Sequence, residues 1–187
     1  LVSDLPFSPP FQSFIAVHTA VPLTKRPLVL VNSEAIAENC GEPLGYAGVV
    51  DVKDETHPRL VSLFPLPHPP PGMGVRNFCE HPGRFGPHNQ HQPQYQQSLY
   101  PDEDIVFLTY FNAGLRAYDI SDERAPKELG YFIAPDPVVR RGPLPKGGLA
   151  TQSEDVLVDR RENIFVSDKN HGVYVLRFHR PSSSADA

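Results

Sequence analysis

The chain has 187 residues, of which 40% are hydrophobic and 10% aromatic, and this composition is typical of a folded globular protein. Its formal net charge is −5 and it has no dense run of lysine and arginine, so the sequence does not favour nucleic-acid binding. The 22 prolines and 13 glycines interrupt the chain too often for long helices, and no apolar stretch reaches the roughly 20 residues of a membrane helix.

The start of the chain and its cysteines bear on compartment and processing. The chain begins at Leu1 rather than Met, which predicts a truncated or processed chain, and prolines within the first ten residues break any signal-peptide core. Cys40 and Cys79 could pair, but each lies in its own loop and the sequence does not place them within disulfide distance, so we expect two buried, reduced thiols. The compartment stays open on this basis, with a soluble, cytoplasmic protein slightly favoured.

Four β-branched or aromatic runs, separated by turn residues, occupy the first third of the chain, and they predict one four-stranded sheet that we call blade A. Its strands are predicted at 14–18, 27–32, 46–52 and 59–64. A long connection over 65–103 follows, rich in proline and then in polar residues. A connection of this length inside a compact fold is usually functional or disordered.

Two further groups of strands follow this connection. Blade B is predicted at 104–109, 114–120 and 128–133, with its innermost strand at or near 85–91. Blade C is predicted at 154–158, 163–167 and 172–178, without an outer strand. The small polar residues 181–187 predict a disordered tail, so we place the folded part at 1–180.

The three groups repeat one another. The turn Asp-x-x-Asp-x-x-x-Pro occurs at Asp51 and again at Asp119, and residues 104–119 align without gaps over 162–177. Repeats of short strands are typical of a β-propeller, which needs about four to eight blades to close. We therefore predict an all-β chain of about three antiparallel four-stranded blades that belongs to a larger ring or completes one by association.

Recurring glycine and aspartate residues in these repeats have a structural interpretation. Gly48, Gly114 and Gly172 open the third strand of each group, where a tight turn needs a positive φ or no side chain. Asp51 and Asp119 begin the repeated turn, in which a short carboxylate can accept hydrogen bonds from nearby backbone N–H groups. We therefore do not count these residues as catalytic.

Four segments resemble the C-terminal half of the LVIVD-repeat family of bacterial β-propellers: SEAIAENC (33–40), RFGPHNQHQP (84–93), LTYFNAGLRAYDIS (108–121) and TQSEDVLVD (151–159). The resemblance implies a closed propeller, seven-bladed and longer than this chain. The chain is more distantly similar to selenium-binding-protein and methanethiol-oxidase propellers, and this similarity implies histidines gathered around a central channel to hold a metal.

Polar residues at the inner strands of the three blades are the candidate metal ligands. His18 ends the predicted inner strand of blade A, His88 and His91 lie where that of blade B starts, and Glu154 opens that of blade C. Imidazole and carboxylate ligands in this mixture suit Zn, Fe, Mn or Cu, and three protein ligands leave a coordination position for water or substrate. We rank His88 above His91, because Gly86-Pro87 constrains the backbone just before His88.

Each candidate also has a structural interpretation. His91 could be a solvated member of a polar loop, and His18 a hydrogen-bonded core residue. Glu34, just beyond the second strand, could act as a general base or support a ligand histidine, or form a surface salt bridge. Glu154 is a candidate catalytic residue as well as a ligand.

The remaining histidines, serines and cysteines do not suggest chemistry. His171 aligns with alanines in a turn and should be peripheral, and solvent exposure is expected for His57, His68, His81 and His179. Ser33, Ser153 and Cys79 lack the context of a catalytic nucleophile.

Function is predicted from the candidate metal site. The leading hypothesis is a metal-dependent hydrolase or lyase acting on a small organic substrate, with a metal-dependent oxidase next. The alternative is a non-catalytic binding or scaffolding propeller whose polar channel residues satisfy one another. The expected partners are a small-molecule substrate and either a second copy of the chain or a missing N-terminal propeller segment, with neither nucleic acid nor a membrane.

Overall fold

The computed structural model of the protein describes residues 1–7, 11–93, 95–143 and 145–180, so the tail predicted at 181–187 lies outside the described residues. The described chain is all-β and forms three antiparallel sheets. Its one helix in these ranges is the single 3-10 turn Phe78–Glu80, and no helix here has the length and apolar character needed to cross a membrane.

Sheet A contains four strands in the order in which they follow along the chain. They are β1 (Ile15–Pro22), β2 (Leu28–Glu34), β3 (Ala47–Asp51) and β4 (Arg59–Leu63). All four predicted strands are confirmed. Strand β1 continues beyond the predicted end at 18, so His18 lies within the strand rather than at its end.

Sheet B contains three strands, β5 (Ile105–Thr109), β6 (Leu115–Asp119) and β7 (Lys127–Phe132). The predicted innermost strand is an irregular segment that pairs with β5 only locally, through a Gln90–Leu108 bridge. The His91 N–H also donates to the Phe107 carbonyl at 2.9 Å. The inner edge of sheet B is therefore shorter and less regular than a full strand.

Sheet C contains β8 (Ser153–Val158), β9 (Asn163–Asp168) and β10 (Gly172–Arg177), in the order β10-β9-β8. These are the strands predicted for blade C. The three sheets do not close into a ring within the described residues, and a seven-bladed ring stays a prediction.

The sequence repeats are also repeats of strand pairing. Equivalent residues face each other across neighbouring strands, namely Phe107 with Ala117, Phe165 with Val175, Asp51 with Arg59, and Asp119 with Lys127. The repeated turns have the predicted chemistry, because Asp51 Oδ1 and Asp119 Oδ1 each accept a backbone N–H two residues on, at 2.8 Å. Side-chain periodicity and turn chemistry therefore select the same register in each unit.

Gly114 shows why a glycine is needed before β6. Its φ is +76°, and a Cβ atom there would lie 2.1 Å from the Phe132 carbonyl oxygen. Any side chain would collide with that backbone, so the close approach of β6 to the end of β7 depends on glycine.

Two apolar layers hold the sheets face to face. The layer between sheets A and B includes Leu28, Leu30, Val49, Val106, Leu108, Tyr118 and Ile120. The layer between sheets B and C includes Ile105, Phe107, Leu115, Ala117, Val156, Val158, Ile164 and Val166. Strand β5 contributes to both layers, which is why every one of its residues is buried and its first four residues are all apolar.

The outward faces of the end sheets differ. The outer face of sheet A is covered by the start of the chain, where Phe7 and Phe11 stack on Tyr46 with ring centroids 5.3 and 4.1 Å away. On the outer face of sheet C, Val173 and Val175 are 67% and 62% exposed. Apolar side chains are thus buried on one end of the stack and open to solvent on the other.

Cys40 and Cys79 form a disulfide, with Cα atoms 5.3 Å apart, so the expectation of two reduced thiols is wrong. The sequence places the two cysteines in different loops. A bridge between Glu38 and Arg84 brings those loops side by side in the fold. Proximity of this kind comes from tertiary pairing and is not visible in the spacing of the cysteines.

Replacing both cysteines, as Cys40→Ser with Cys79→Ser, should lower the free energy of unfolding by about 3 to 4 kcal/mol, because the bond limits the unfolded chain. The bonded residues are 39 apart in sequence, which is a long loop to close. Denaturant unfolding with and without a reductant measures this loss. The reductant should destabilise the unmodified protein and leave the double variant unchanged. Equal stabilities of the disulfide-bonded protein and the double variant would contradict the prediction.

Candidate metal centre

Two histidines and one glutamate from separate segments meet at the inner edges of the sheets. Nε2 of His18, on β1, lies 3.6 Å from Glu34 Oε2, and Nε2 of His88 lies 3.6 Å from Glu34 Oε1. One ligand atom from each of the three residues falls within 4.8 Å of the others. Among the described residues, this is the only group of three such side chains close enough to hold one metal ion.

A β-bulge places His18 in this group. The step from Ile15 to Thr19 on β1 matches the shorter step from Glu34 to Asn32 on β2, so β1 holds extra residues just before Thr19. A bulge of this kind interrupts the regular alternation of side chains and redirects them. The apolar run around His18 therefore folds as an irregular strand whose histidine reaches the end of β2.

His88 is positioned by tight packing of the two residues before it. A Cβ on Gly86 would lie 2.6 Å from the Ala35 Cβ, so only glycine allows the segment to approach sheet A this closely. The backbone of His88 then bonds in two directions, with its N–H donating to the Thr109 carbonyl at 2.9 Å and its carbonyl accepting from Asn32 Nδ2 at 2.7 Å. The predicted influence of Gly86-Pro87 on His88 agrees with this packing.

Hydrogen bonds assign the tautomers of both histidines. His88 Nδ1 lies 2.6 Å from the Glu154 carbonyl oxygen, which can only accept, so Nδ1 carries the proton of the neutral ring. His18 Nδ1 lies 2.8 Å from Thr19 Oγ1, whose hydroxyl donates to the His88 carbonyl, so this Nδ1 is also the donor. Each neutral ring is left with a lone pair on Nε2, and each Nε2 faces Glu34.

This arrangement suits a cation. Two nitrogen lone pairs and a carboxylate converge, and the two imidazole rings stack with centroids 4.8 Å apart. Neutral imidazole and carboxylate are ordinary ligands of zinc and related metals, and ligand histidines commonly donate their other N–H to a carbonyl or hydroxyl. The residues present therefore fit a divalent transition metal, with coordination positions left over.

Two basic side chains flank the three residues. Arg84 Nη1 lies 3.3 Å from Glu34 Oε1, and Lys169 Nζ lies 2.6 Å from Glu154 Oε1. The other oxygen of Glu154 is 3.9 Å from His88 Nδ1. The site thus contains two carboxylates and two basic side chains around the histidines.

Phe111 forms one wall of the site. Its ring lies 4.9 Å from the His88 ring, and the Arg84 guanidinium carbon and Lys169 Nζ lie 5.4 and 5.5 Å from its centroid. The residue is fully buried and has a φ of +44°, a conformation that non-glycine residues seldom adopt. The Ser153 N–H donates to the Phe111 carbonyl at 3.0 Å and helps to hold that conformation.

The structure does not bring His91 into the cluster. Its Nε2 donates to the Tyr100 carbonyl at 2.9 Å, and its Nδ1 accepts from the Val158 N–H at 3.1 Å. Both ring nitrogens are therefore used inside the protein, and the side chain is buried. The predictions of a metal ligand and of a solvated loop residue both need correction, because His91 is a buried connection between the inner segment and β8.

Glu34 rather than Glu154 lies between the two histidines. Glu154 lies outside the group of three, and its carbonyl orients His88 while its carboxylate pairs with Lys169. Its role as a metal ligand stays a prediction. Glu34, expected to be a base or a supporting residue, is the carboxylate that the two histidines share.

Arg84, Phe111 and Lys169 were not singled out from the sequence. Arg84 and Phe111 belong to the segments 84–93 and 108–121 that carry the family resemblance, so a signal for them was present there. Lys169 carries no comparable signal, because it is one lysine in a turn after β9.

The peripheral histidines are confirmed with one exception. His171 is exposed and interacts with the Pro135 carbonyl, as expected of a turn residue. His57, His68 and His179 are exposed as well. His81 is not, because its side chain is buried with Nε2 at 2.9 Å from Asp136 Oδ2, so the prediction of a surface position is wrong.

Comparison with known proteins adds no family assignment, since no family model matches the chain and no curated protein matches it significantly. The resemblance to LVIVD-repeat propellers therefore stays a prediction based on the segments quoted above.

Burial lowers the pKa of His91 below its ordinary value of 6.5, against the opposing effect of its hydrogen bond to the Tyr100 carbonyl. As the pH is lowered, His91 is thus protonated at a higher pH in the unfolded chain than in the folded chain. Stability should therefore decrease as the pH falls below 6.5, by at most about 1.4 kcal/mol per pH unit from this group.

The variant His91→Gln tests this, because an amide can donate and accept without titrating. Its free energy of unfolding should change less than that of the unmodified protein between about pH 5 and 7, as measured by denaturant unfolding. Equal slopes for the two proteins would show that His91 is not protonated preferentially in the unfolded chain.

Proposed function

We propose that this protein is a metal-dependent enzyme of propeller type, in which His18, Glu34 and His88 hold a divalent transition metal that acts on a small organic molecule. The observation that carries the proposal is the convergence of two Nε2 lone pairs on one carboxylate. Each Nδ1 has a partner that selects the required tautomer. Hydrolysis or elimination is the reaction class that we favour.

A bound divalent ion would supply Lewis acidity toward a carbonyl or a coordinated water. The chain's own residues would do the rest. His18 and His88 would hold the ion through Nε2, and the Phe111 ring beside His88 would keep water from one side of it. Glu154 is the carboxylate next to the cluster that is not part of it, so we assign it the role of proton acceptor.

A second candidate function is a binding or scaffolding module without a metal. The ion pair between Arg84 Nη1 and Glu34 Oε1, at 3.3 Å, favours it, because Arg84 can satisfy the glutamate without an added cation. In that case a proton on one histidine would take the place of the metal. Metal content separates the two functions.

Elemental analysis of the purified protein by plasma mass spectrometry should find near-stoichiometric transition metal. His88→Ala removes one ligand and should lower metal affinity by at least about a hundredfold, more than the loss of a residue that merely supports a ligand. His171→Ala is the matched control, since that histidine is exposed and is not part of the group of three. Metal-free protein that stays folded, or equal metal in both variants, would exclude the proposed centre and favour the binding module.

We also propose that the three sheets are blades of a larger propeller. The gap-free repeat aligns Val173 and Val175 of sheet C with Leu115 and Ala117 of sheet B. The sheet B pair is buried against sheet C, whereas the sheet C pair is exposed. Repetition of the same apolar positions supports a further sheet packed on sheet C, and native mass spectrometry would reveal whether a second copy supplies it.

The disulfide bears on the cellular setting. Disulfides form and persist in oxidising compartments, so we propose that the protein works in one rather than in the cytoplasm that the sequence slightly favoured. Thiol labelling of the protein from its native source would check this.

A further inference from the structure

We infer that the ligand of the metal centre is a small carboxylate, bound by Nη2 of Arg84 with Lys169 beside it. This inference rests on the proposed function and names its substrate class.

The two cations are placed to meet a ligand at the metal. The Arg84 and Lys169 side chains are 16% and 27% exposed, so both are held in the wall of the site while remaining reachable from solvent. Both approach the ring of Phe111, which also packs against His88. A single buried ring therefore neighbours the metal ligand His88 and both cations.

The charge balance favours an anion once the metal is bound. Without metal, the carboxylates of Glu34 and Glu154 balance the charges of Arg84 and Lys169, and a metal held through Nε2 requires both histidines in the neutral form. A divalent ion then leaves two surplus positive charges in a half-buried site. An uncompensated charge away from water is costly, so an anionic ligand is stabilised there.

The hydrogen-bonding capacity left over selects a carboxylate. Arg84 uses Nη1 for Glu34, and its Nε is buried without a partner among the described residues. A buried Nε cannot meet a ligand, so Nη2 is the guanidinium nitrogen that can donate to one, and a guanidinium N–H makes a strong, charge-assisted bond to a carboxylate oxygen. Because Lys169 already pairs with Glu154, Nη2 of Arg84 is the main donor left, which suits the few oxygens of a carboxylate better than phosphate, whose additional oxygens need further donors.

The inference is tested by loading the protein with Co²⁺ and measuring the binding of small ligands that differ in charge. Acetate and acetamide have similar shapes and differ in charge, so acetate should bind at least about tenfold more tightly, judged by calorimetry and by the visible spectrum of the cobalt. Inorganic phosphate is the third probe and should bind more weakly than acetate.

Arg84→Gln should retain Co²⁺, because it removes the cation that competes for Glu34, and should lose about tenfold in acetate affinity. Arg59→Gln is the matched control, because Arg59 is exposed on β4 and pairs with Asp51. Lys169→Gln, with an expected loss of several-fold, decides the matter if Arg84→Gln does not fold as judged by circular dichroism.

Failure of the metal centre and failure of the carboxylate inference give different results. Protein that takes up no Co²⁺ overturns both. Protein that takes up Co²⁺ but binds acetate and acetamide equally, or binds acetate unchanged in the variants, overturns the inference and leaves the metal centre standing. Tighter binding of phosphate than of acetate overturns the assignment to a carboxylate.

Discussion

The irregular segment at 86–91 connects all three sheets, and the arrangement of the molecule depends on its hydrogen bonds. The His88 N–H bonds to sheet B through Thr109, and the His88 carbonyl bonds to sheet A through Asn32. The ring of His91 accepts from the Val158 N–H of sheet C. Buried polar groups need partners, so this segment can occupy only a position that satisfies all three sheets at once.

The same constraint positions the chemistry. The Glu154 carbonyl accepts from His88 Nδ1 and so orients the ring. The same carbonyl also accepts from the hydroxyl of the fully buried Thr109. The side chain of His88 is thus oriented by contacts that also hold sheets B and C together. In a regular strand, successive side chains point to opposite faces. The bulge in β1 and the irregular segment at 86–91 break this alternation, so histidines from neighbouring inner edges can face one carboxylate.

The strands, the turns and two of the site histidines could be predicted from the sequence. The features that could not be predicted have a common cause. Alternation, turn residues and repeats are local, and they predicted the strands and the Asp51 and Asp119 turns. His18 and His88 were candidates because they lie at inner strands. The pairing of Cys40 with Cys79 depends on how distant segments meet, as does the burial of His81 against Asp136, and no local pattern records such meetings.

By itself, the sequence determined an all-β chain of three repeated strand groups, because side-chain periodicity and the chemistry of glycine, proline and aspartate act over a few residues. Only the tertiary structure decided which polar residues share a site. Glu34 lies between His18 and His88, and Arg84 and Phe111 contact this group. The ring of His91 instead bonds to backbone groups elsewhere. The physical reason is that each of these contacts joins segments far apart in sequence, and its geometry depends on bulges and on sheet packing rather than on local preference.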